Sequence, residues 1–408
     1  MRISARPERP SGLLGLPISS DFLLAAVAVA ALVHIPWMGT RAALLFVMAG
    51  TGLIALRPLK SANELVAHWY LLLLPLYSTA SALWSQFPAL SLRFGVQLTV
   101  TVAVSIVVAR RLSPRHFIML LFVFLGETMV ASLLFGFVRS DGAWQGVYAS
   151  KNALAGAAAM LVVMAAGLVL DAGLPKALRT AAALMLALAF FMLVKAQSTG
   201  ALILVFPVLL AQIALVFLPG LSPATRQVAA IFLVLALALA ALLLQSNADV
   251  LVDRFLDATG KDITLTGRTD LWREALRLIG ERPLFGVGYQ AFWVKGYGPA
   301  EELWYMFGIK ARSGFHFHNT YISNAVEIGI VGVALQIFVL YGAAWSSGVW
   351  AIRRRSAESS ILFALVLLVI AISMIEVPVF FQFSPRTLIV FGAFVYAGRA
   401  RRAARPKE

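Results

Sequence analysis

Two of the five histidines in this 408-residue chain stand two positions apart in FHFHNTYISNAVEIGIVG, residues 315–332. His316 and His318 alternate with phenylalanines, and in an extended segment this alternation places both imidazoles on one side. Asn319 follows at the predicted start of an apolar helix, where an asparagine side chain can cap the first free backbone amides. Because an imidazole can accept a proton from a hydroxyl near neutral pH, the segment is a candidate for general-base chemistry.

The helix that follows this segment carries a polar stripe. Residues 319, 323 and 327 are spaced i, i+4 and i+8 and share one face of a straight helix. Glu327 is an ionisable group in an apolar segment, where such groups are costly and commonly functional. An alternative is a capped helix whose buried polar seam joins it to its neighbours. A zinc site is a third interpretation, but we expect no metal, because the sequence offers no further histidine on that side of the membrane.

Three cations are candidates for binding an anion near the histidines. Arg268 directly precedes a predicted helix start, and its guanidinium could hold a phosphate bidentately. A surface ion pair with Asp270 or Glu274 is the alternative for Arg268. Lys151 opens a predicted helix in GVYASKNALAG, and Lys195 closes another in KAQSTGA. We expect all three cations to converge on one site.

The elements that position these residues are membrane helices. Hydrophobic residues make up 61% of the chain and charged residues 13%, whereas a soluble chain carries about a quarter charged residues. The apolar residues form blocks of about 18 to 22, the length that spans a bilayer as a helix. We predict an all-α polytopic membrane protein with about 12 transmembrane helices. The predicted spans are 20–37, 42–56, 65–84, 91–109, 116–136, 152–170, 177–194, 200–218, 227–245, 319–350, 359–375 and 387–400, and the tenth is long enough to be bent or to project from the membrane.

The distribution of positive charge predicts the orientation of these spans. With the N-terminus inside, 19 of the 34 lysines and arginines fall in inside segments and 6 in short outside loops. Lys and Arg accumulate on the cytoplasmic side, so both termini are predicted to be cytoplasmic. The net charge of +15 then indicates contact with anionic lipid, and we expect no nucleic-acid partner. The absence of cysteine excludes disulfides and thiolate metal sites.

We divide the chain into three parts. Residues 1–245 hold helices 1 to 9, residues 246–318 form a large periplasmic loop containing short helices, and residues 319–408 hold helices 10 to 12 with a basic cytoplasmic tail. The loop has 73 residues, with nine basic and nine acidic ones. Apolar positions in RTDLWREALRLIGER, residues 268–282, have helical spacing. We expect this helix to lie along the membrane surface or to cap the bundle, and to end at Pro283.

Two stretches, GRTDLWREALRLIGERPLFGVGYQAF and HFHNTYISNAVEIGIVG, together resemble the signature of the O-antigen ligase and polysaccharide polymerase superfamily. The similarity runs from residue 267 to 332. The superfamily pattern of His-Asn, nine residues, Gly, two residues, Gly falls on His318, Asn319, Gly329 and Gly332. The order of predicted spans around the stretches agrees with this resemblance.

The resemblance implies a glycosyltransferase of the bacterial inner membrane. Such an enzyme moves a glycan from undecaprenyl pyrophosphate to a saccharide hydroxyl on the periplasmic side, inverts the anomeric centre, and needs neither metal nor cofactor. By resemblance, His318 is the catalytic base and Arg268 binds the pyrophosphate. The expected partners are the lipid-linked donor, the saccharide acceptor, the bilayer and other polysaccharide-export components. Further candidate substrate-binding residues are His316, Asn319, Lys151, Lys195 and Glu327.

The sequence departs from the superfamily at one position and leaves alternatives for the function. A second arginine, in a Ser-Arg motif, is missing from KAQSTGALI, where Lys195 offers a point charge rather than a planar fork. Lys151-Asn152 resembles a motif of exopolysaccharide polymerases and favours a polymerase over a ligase that joins polymer to lipid A–core. A transporter or flippase using Glu127 and Glu327 is an alternative of another class, although repeated halves and interrupted helices are not evident. A membrane scaffold without activity is the third.

Overall fold

The computed structural model describes residues 19–217, 222 and 268–403. In these residues the chain is an all-α polytopic membrane protein with one short β-hairpin. The predicted ninth span, the first part of the predicted loop and the end of the basic tail lie outside the described residues. The first helices are α1 Ser20–Met38, α2 Thr40–Ala55, α3 Pro58–Val66, α4 Trp69–Ala80, a 3-10 turn Ser81–Leu83, α5 Pro88–Arg111 and α6 Pro114–Phe135. There follow β1 Phe137–Val138, β2 Trp144–Gly146, α7 Lys151–Leu170, α8 Lys176–Lys195, α9 Thr199–Phe217, α10 Arg268–Glu281, α11 Gly298–Met306, α12 Thr320–Arg354, α13 Ala357–Ser373 and α14 Pro385–Ala403.

Seven of the described helices are long and apolar enough to cross a membrane, namely α1, α5, α6, α7, α8, α9 and α12. The bent pair of α2 and α3 counts as an eighth if the two form one span. Helices α4 and α13 are apolar but shorter. The multispan architecture is confirmed, whereas the number of twelve spans is not established by the described residues.

The predicted span 65–84 corresponds to α4 and the 3-10 turn after it, Trp69–Leu83, and starts four residues later than predicted. Helix α3 turns by 99° from α2, and α4 begins separately at Trp69. Pro58 disfavours helical geometry at the preceding Arg57, which has φ −143° and ψ 70°. The bend is held by buried charge, because Arg111 Nε lies 3.0 Å from a carboxylate oxygen of Glu64 in α3.

Helix α7 forms the centre of the bundle. Over its most apolar 18 residues, 78% are buried inside the protein. Its sequence is rich in Ala and Gly, which lets neighbouring helices approach closely, and α6, α8, α9 and α13 pack around it. The helix starts at Lys151, where the Ser150 hydroxyl accepts a hydrogen bond from the Ala153 backbone N–H. This cap fixes the first turn of α7, which begins with Lys151.

Helix α12 is broken near its start, as its predicted length suggested. Gly329 has φ 65° and ψ −174°, so the ladder of helical hydrogen bonds is interrupted there. The segment from Pro283 to Gly288 inserts at the break: Ile330 N donates to Pro283 O at 2.8 Å, and Gly288 N donates to Glu327 O at 2.7 Å. A Cβ at Gly329 would collide with the backbone oxygen of Leu284, so only glycine fits.

Helix α10 packs against its neighbours in the fold, as the capping placement requires, while its position relative to the membrane surface stays a prediction. Its buried residues Leu271, Ala275 and Leu278 join a second, smaller apolar core with residues of α11 and the start of α12. The Trp272 indole N–H also donates to Phe317 O at 2.7 Å. This packing attaches the beginning of α10, and therefore Arg268, to the histidine segment.

Candidate active site

The two histidines meet around a carboxylate that the sequence did not single out. Glu376 lies in the connection between α13 and α14. Its Oε1 is 3.3 Å from His318 Nδ1, and its Oε2 is 3.3 Å from His316 Nε2. The ring centroids of the histidines are 4.3 Å apart. The predicted convergence of the imidazoles is therefore present, and it is organised by a residue 58 positions further along the chain.

The hydrogen bonds define which ring nitrogens face the carboxylate. The His318 backbone N–H donates to His316 Nδ1 at 3.1 Å, so the ring proton of neutral His316 resides on Nε2 and points to Glu376. His318 donates its Nδ1 proton to Glu376 Oε1. This leaves His318 Nε2 as the acceptor, and it makes no hydrogen bond within the described part of the chain. A carboxylate that holds the opposite nitrogen of an imidazole orients the ring as a general base.

The backbone at the histidines differs from the extended segment assumed above. His318 has φ +52°, the left-handed region that residues other than glycine rarely adopt. Asn319 then caps α12, as predicted, accepting hydrogen bonds from Tyr321 N at 2.9 Å and Ile322 N at 3.1 Å. Backbone strain of this kind persists where surrounding contacts hold it, and it is common at functional sites.

The connection that carries Glu376 is tied to the start of α12 at two points. Asn319 Nδ2 donates to Met374 O at 3.1 Å, and the Thr320 hydroxyl donates to Glu376 O at 2.9 Å. The position of the carboxylate is thus coupled to the same helix cap that positions His318. Asn319 acts on the site through these bonds.

Arg268 joins the same cluster from α10. Its Nη1 donates to Ile375 O at 3.0 Å, and its Nη2 lies 3.5 Å from Glu376 Oε1. The side chains of Arg268 and Glu376 are only 18% and 19% exposed, so this contact is partly shielded from solvent. The alternative of a surface pair with Asp270 or Glu274 is not observed, because those carboxylates pair with other arginines of α10.

The cluster sets the charge states of its members. Burial alone would raise the pKa of Glu376, but the hydrogen bond from His318 and the nearby His316 and Arg268 lower it below its usual value. Burial and the adjacent His318 lower the pKa of His316 to about 4. Glu376 is therefore ionised and His316 neutral at neutral pH, which is the state that the hydrogen bonds above require.

A cavity of about 600 Å³ opens beside the cluster. Of the residues predicted to bind substrate, Lys151 lines it together with Arg268, His316 and His318. It also contains two residues that our sequence reasoning did not assign to the site, Glu376 and Arg386. The one signal for them was that a carboxylate and an arginine stand alone in IEVPVFFQFSPR, between two apolar spans.

Asn152, next to Lys151, connects α7 to the cluster. Its Nδ2 donates to Glu376 Oε1 at 3.0 Å, and its Oδ1 accepts from the Ser198 hydroxyl at 3.1 Å. The first turns of α7 and α9 are thereby held at the cavity. The Lys-Asn pair noted in the sequence thus contributes both a cation and a positioning amide.

Two other predicted binding residues lie away from this cavity. Lys195 is exposed, and its Nζ lies 5.6 Å from the centre of the Phe191 ring. Glu327 is buried beside the break in α12, where its Oε2 accepts a hydrogen bond from Gln290 N at 2.9 Å. Residues 319, 323 and 327 all precede the break at Gly329, so the predicted stripe is on one helix face, but Glu327 lies at its far end and bonds to Gln290 rather than lining the cavity. Glu127 is also distant, 3.4 Å from His34 Nε2.

His316, His318 and Glu376 also satisfy the spacing of a metal site. One ligand atom from each lies within 4.8 Å of the others. The sequence alone offered only two such ligands. Glu376 is already in contact with Arg268 and Asn152, and a positive guanidinium next to the carboxylate opposes binding of a cation there.

Comparison with known proteins adds two similarities. A family model described as O-antigen ligase matches residues 181–337. The chain is also 32% identical over 314 residues to the exopolysaccharide production protein ExoQ of Rhizobium meliloti (strain 1021). That alignment covers 74% of this chain and 71% of the relative. Arg268 and the two histidines fall inside the family match, whereas Lys151, Glu376 and Arg386 fall outside it.

Proposed function

The chain belongs to the O-antigen ligase-related superfamily, and from its cavity we propose that it is a glycosyltransferase that extends a surface polysaccharide. The donor is a glycan linked to undecaprenyl pyrophosphate, and the acceptor is a saccharide hydroxyl. The observation that carries the proposal is the orientation of His318. Its Nδ1 is hydrogen-bonded to Glu376, and its Nε2 has no hydrogen bond among the described residues. Both His318 and Arg268 line the cavity.

In this reaction His318 accepts the proton of the acceptor hydroxyl at Nε2. The hydroxyl oxygen forms a bond to the anomeric carbon while the bond from that carbon to the pyrophosphate oxygen breaks. Attack from the side opposite the leaving group inverts the anomeric centre. Glu376 stabilises the imidazolium that forms, since its ionised carboxylate lies 3.3 Å from His318 Nδ1.

Arg268 stabilises the leaving pyrophosphate. A guanidinium has five N–H donors, and the contacts of Arg268 to Ile375 O and Glu376 use two of them. The remaining donors are available to phosphate oxygens, which gain negative charge as the glycosidic bond breaks. The activated donor supplies the driving force for transfer.

We propose that this chemistry needs no metal ion. The carboxylate of the potential His-His-Glu metal set already contacts Arg268, and His318 has its Nδ1 occupied by the same carboxylate. We expect glycan transfer in washed membranes to be unchanged by EDTA. Loss of transfer on chelation, with recovery on adding back a divalent ion, would show that the three residues hold a metal.

Polymerisation is the first candidate and ligation of polymer to lipid A–core the second. The relative named as an exopolysaccharide production protein and the Lys151-Asn152 pair at the cavity favour polymerisation. The family match described as O-antigen ligase favours ligation. Either reaction uses the same base, donor and cavity, so the acceptor distinguishes them.

Gene deletion followed by analysis of surface glycans tests the proposal. Loss of long secreted polymer with intact lipopolysaccharide would indicate a polymerase, and lipid-linked polymer accumulating beside bare lipid A–core would indicate a ligase. Complementation with His318→Ala should restore the protein to the membrane but not the glycan. A deletion strain with unchanged surface glycans would refute both reactions, and full complementation by His318→Ala would refute the assigned base.

A further inference from the structure

Arg386 is a half-buried arginine whose side chain makes no hydrogen bond or ion pair with a described residue. It lies in the first turn of α14 and lines the cavity beside Arg268 and the histidines. Its Nε is shielded from solvent and has no hydrogen-bonding partner. Its two terminal nitrogens likewise make no hydrogen bond or ion pair with a described residue. Glu376 attracts the guanidinium electrostatically, but from beyond ion-pair distance. Because shielding guanidinium donors that make no hydrogen bond is costly, an arginine in this state indicates a ligand that is negatively charged.

A glycine in α7 makes room for the guanidinium. A Cβ at Gly156 would lie in direct collision with Arg386 Nη2, whose terminal group occupies the space next to the bare backbone. Lys151 begins the same helix and lines the same cavity. The head group of Arg386 is thus held between α7 and α14, on the cavity wall.

The charge of the cavity is positive. Arg268, Arg386 and Lys151 line it against a single carboxylate, Glu376. That carboxylate contacts Arg268 but makes no ion pair with Arg386. The first turns of α7, α9 and α14 also border the cavity, and the N-terminal end of a helix carries partial positive charge. Both guanidinium groups together suit an anion with several oxygens, as in a diphosphate.

We propose that Arg386 in α14 supplies the second guanidinium of the diphosphate-binding site, in addition to that of Arg268 in α10. The inference rests on the proposed function and deepens it, since it assigns the contact for which Lys195 was the sequence candidate. Lys195 is exposed and does not line the cavity. Because α10 and α14 are separate elements, the two arginines bind the anion from different parts of the fold. Arg386 lies outside the residues that match the family model.

Titration of the full-length protein in detergent micelles with inorganic pyrophosphate tests this assignment. We expect wild-type protein to bind pyrophosphate, and Arg386→Met to bind it roughly ten- to a hundredfold more weakly, the loss expected for a charge-assisted hydrogen bond. Arg386→Lys should be intermediate, because lysine keeps the charge but loses the fork. Arg93→Lys, at an exposed arginine away from the cavity, is the matched control and should bind as wild type.

Gly156→Ala provides an independent variant that keeps every charge. The added methyl must displace the Arg386 head group, so pyrophosphate affinity should fall while the unfolding temperature stays near that of the wild type. Gly398→Ala is the control, since a Cβ there meets no atom within 4 Å.

The outcomes separate this inference from the proposed function. Wild-type affinity in Arg386→Met, with loss in Arg268→Met, would overturn the role of Arg386 and leave the proposed transfer reaction intact. No binding of pyrophosphate by the wild-type protein would overturn the anion site. A third outcome is that pyrophosphate binding depends on the arginines but that gene deletion leaves the surface glycans unchanged. This outcome would support the anion site and refute the transfer reaction.

Discussion

At the scale of single residues, Glu376 connects the chemistry of the site. Its carboxylate contacts His316, His318, Arg268 and Asn152, and its backbone is held by the start of α12. One side chain therefore sets the orientation of His318, the candidate base, and the position of Arg268, the residue proposed to bind the pyrophosphate. Glu376 acts through these groups and is a positioning residue.

Replacing Glu376 with Gln should lower transfer by roughly a hundredfold or more, because the amide no longer stabilises a protonated His318. Transfer is measured as polymer formed per amount of protein in the membrane, with kcat and KM determined separately. We expect the loss mainly in kcat, and partial recovery in Glu376→Asp. Glu358→Gln, near the start of α13 and away from the cavity, is the matched control. Equal kcat in Glu376→Gln and wild type would contradict the positioning role.

The low pKa of His316 predicts a dependence of stability on pH. An unfolded histidine titrates near pH 6.5, whereas burial and His318 lower the pKa of folded His316 to about 4. Between these values the unfolded chain binds a proton that the folded protein does not, so the free energy of unfolding rises with pH in this window. The contribution is complete above about pH 6.5 and is lost as the pH falls toward 4.

Thermal unfolding in detergent between pH 7 and pH 5 measures this effect. The unfolding temperature of wild-type protein should fall on acidification, and His316→Gln should show a smaller fall over the same range. Parallel curves for the two proteins would mean that His316 does not titrate differently in the folded and unfolded states.

At the scale of elements, the broken helix α12 determines where the histidines stand. Gly288 N and Ile330 N bond across the break to Glu327 O and Pro283 O. The inserted turn leads on to the small core that holds α10, and α10 carries Arg268. Gly288 and Gly329 thus serve one interface, between the turn after α10 and the break in α12.

Gly329→Ala should destabilise the protein by about 2 kcal/mol or more. An alanine would have to adopt φ 65°, and its Cβ would collide with the backbone oxygen of Leu284. Denaturant unfolding in detergent measures the change. Gly398→Ala, inside α14 and without neighbours, should be neutral or slightly stabilising because alanine favours a helix. Equal stability of Gly329→Ala and wild type would show that the break tolerates a side chain.

At the scale of the whole molecule, the proposed reaction requires the cavity to face the side where lipid-linked glycans are used. The basic residues predict cytoplasmic termini, and on that prediction we propose that the cavity and α10 face the outer side of the membrane. The central helix α7 begins at the cavity and its far end packs among the helices of the bundle. The site therefore lies at one end of the bundle, where the helical core meets the cap formed by α10 and α11.

Single-cysteine labelling tests this orientation, because the chain has no cysteine of its own. Lys310→Cys, exposed between α11 and α12, should react with a membrane-impermeant maleimide in intact spheroplasts. Arg354→Cys, exposed at the end of α12, should react only after permeabilisation. The reverse pattern would place the cavity in the cytoplasm and exclude the proposed reaction.

Local sequence determined much of this protein. Blocks of apolar residues located most of the helices to within a few residues, since a bilayer-spanning helix needs a continuous apolar stretch. The helical spacing in α10 and the cap at Asn319 were readable for the same reason, because each depends on neighbours in sequence. The histidine pair, Arg268 and the Lys151-Asn152 pair were visible as rare polar groups in an apolar chain.

Tertiary structure alone decided which of these groups work together. Glu376 contacts His318 across 58 residues, and Arg268 reaches the carbonyl of Ile375 across 107, distances that no periodicity encodes. Glu327 keeps its place on the helix before the break at Gly329, but its carboxylate bonds to Gln290, 37 residues earlier in the chain, rather than lining the cavity. Lys195 is exposed beside Phe191, whereas the side chain of Arg386 reaches Gly156 of α7 and lines the cavity, and neither placement follows from the sequence. Membrane burial selects apolar segments one at a time, whereas a site depends on how those segments pack, and that is a property of the folded chain as a whole.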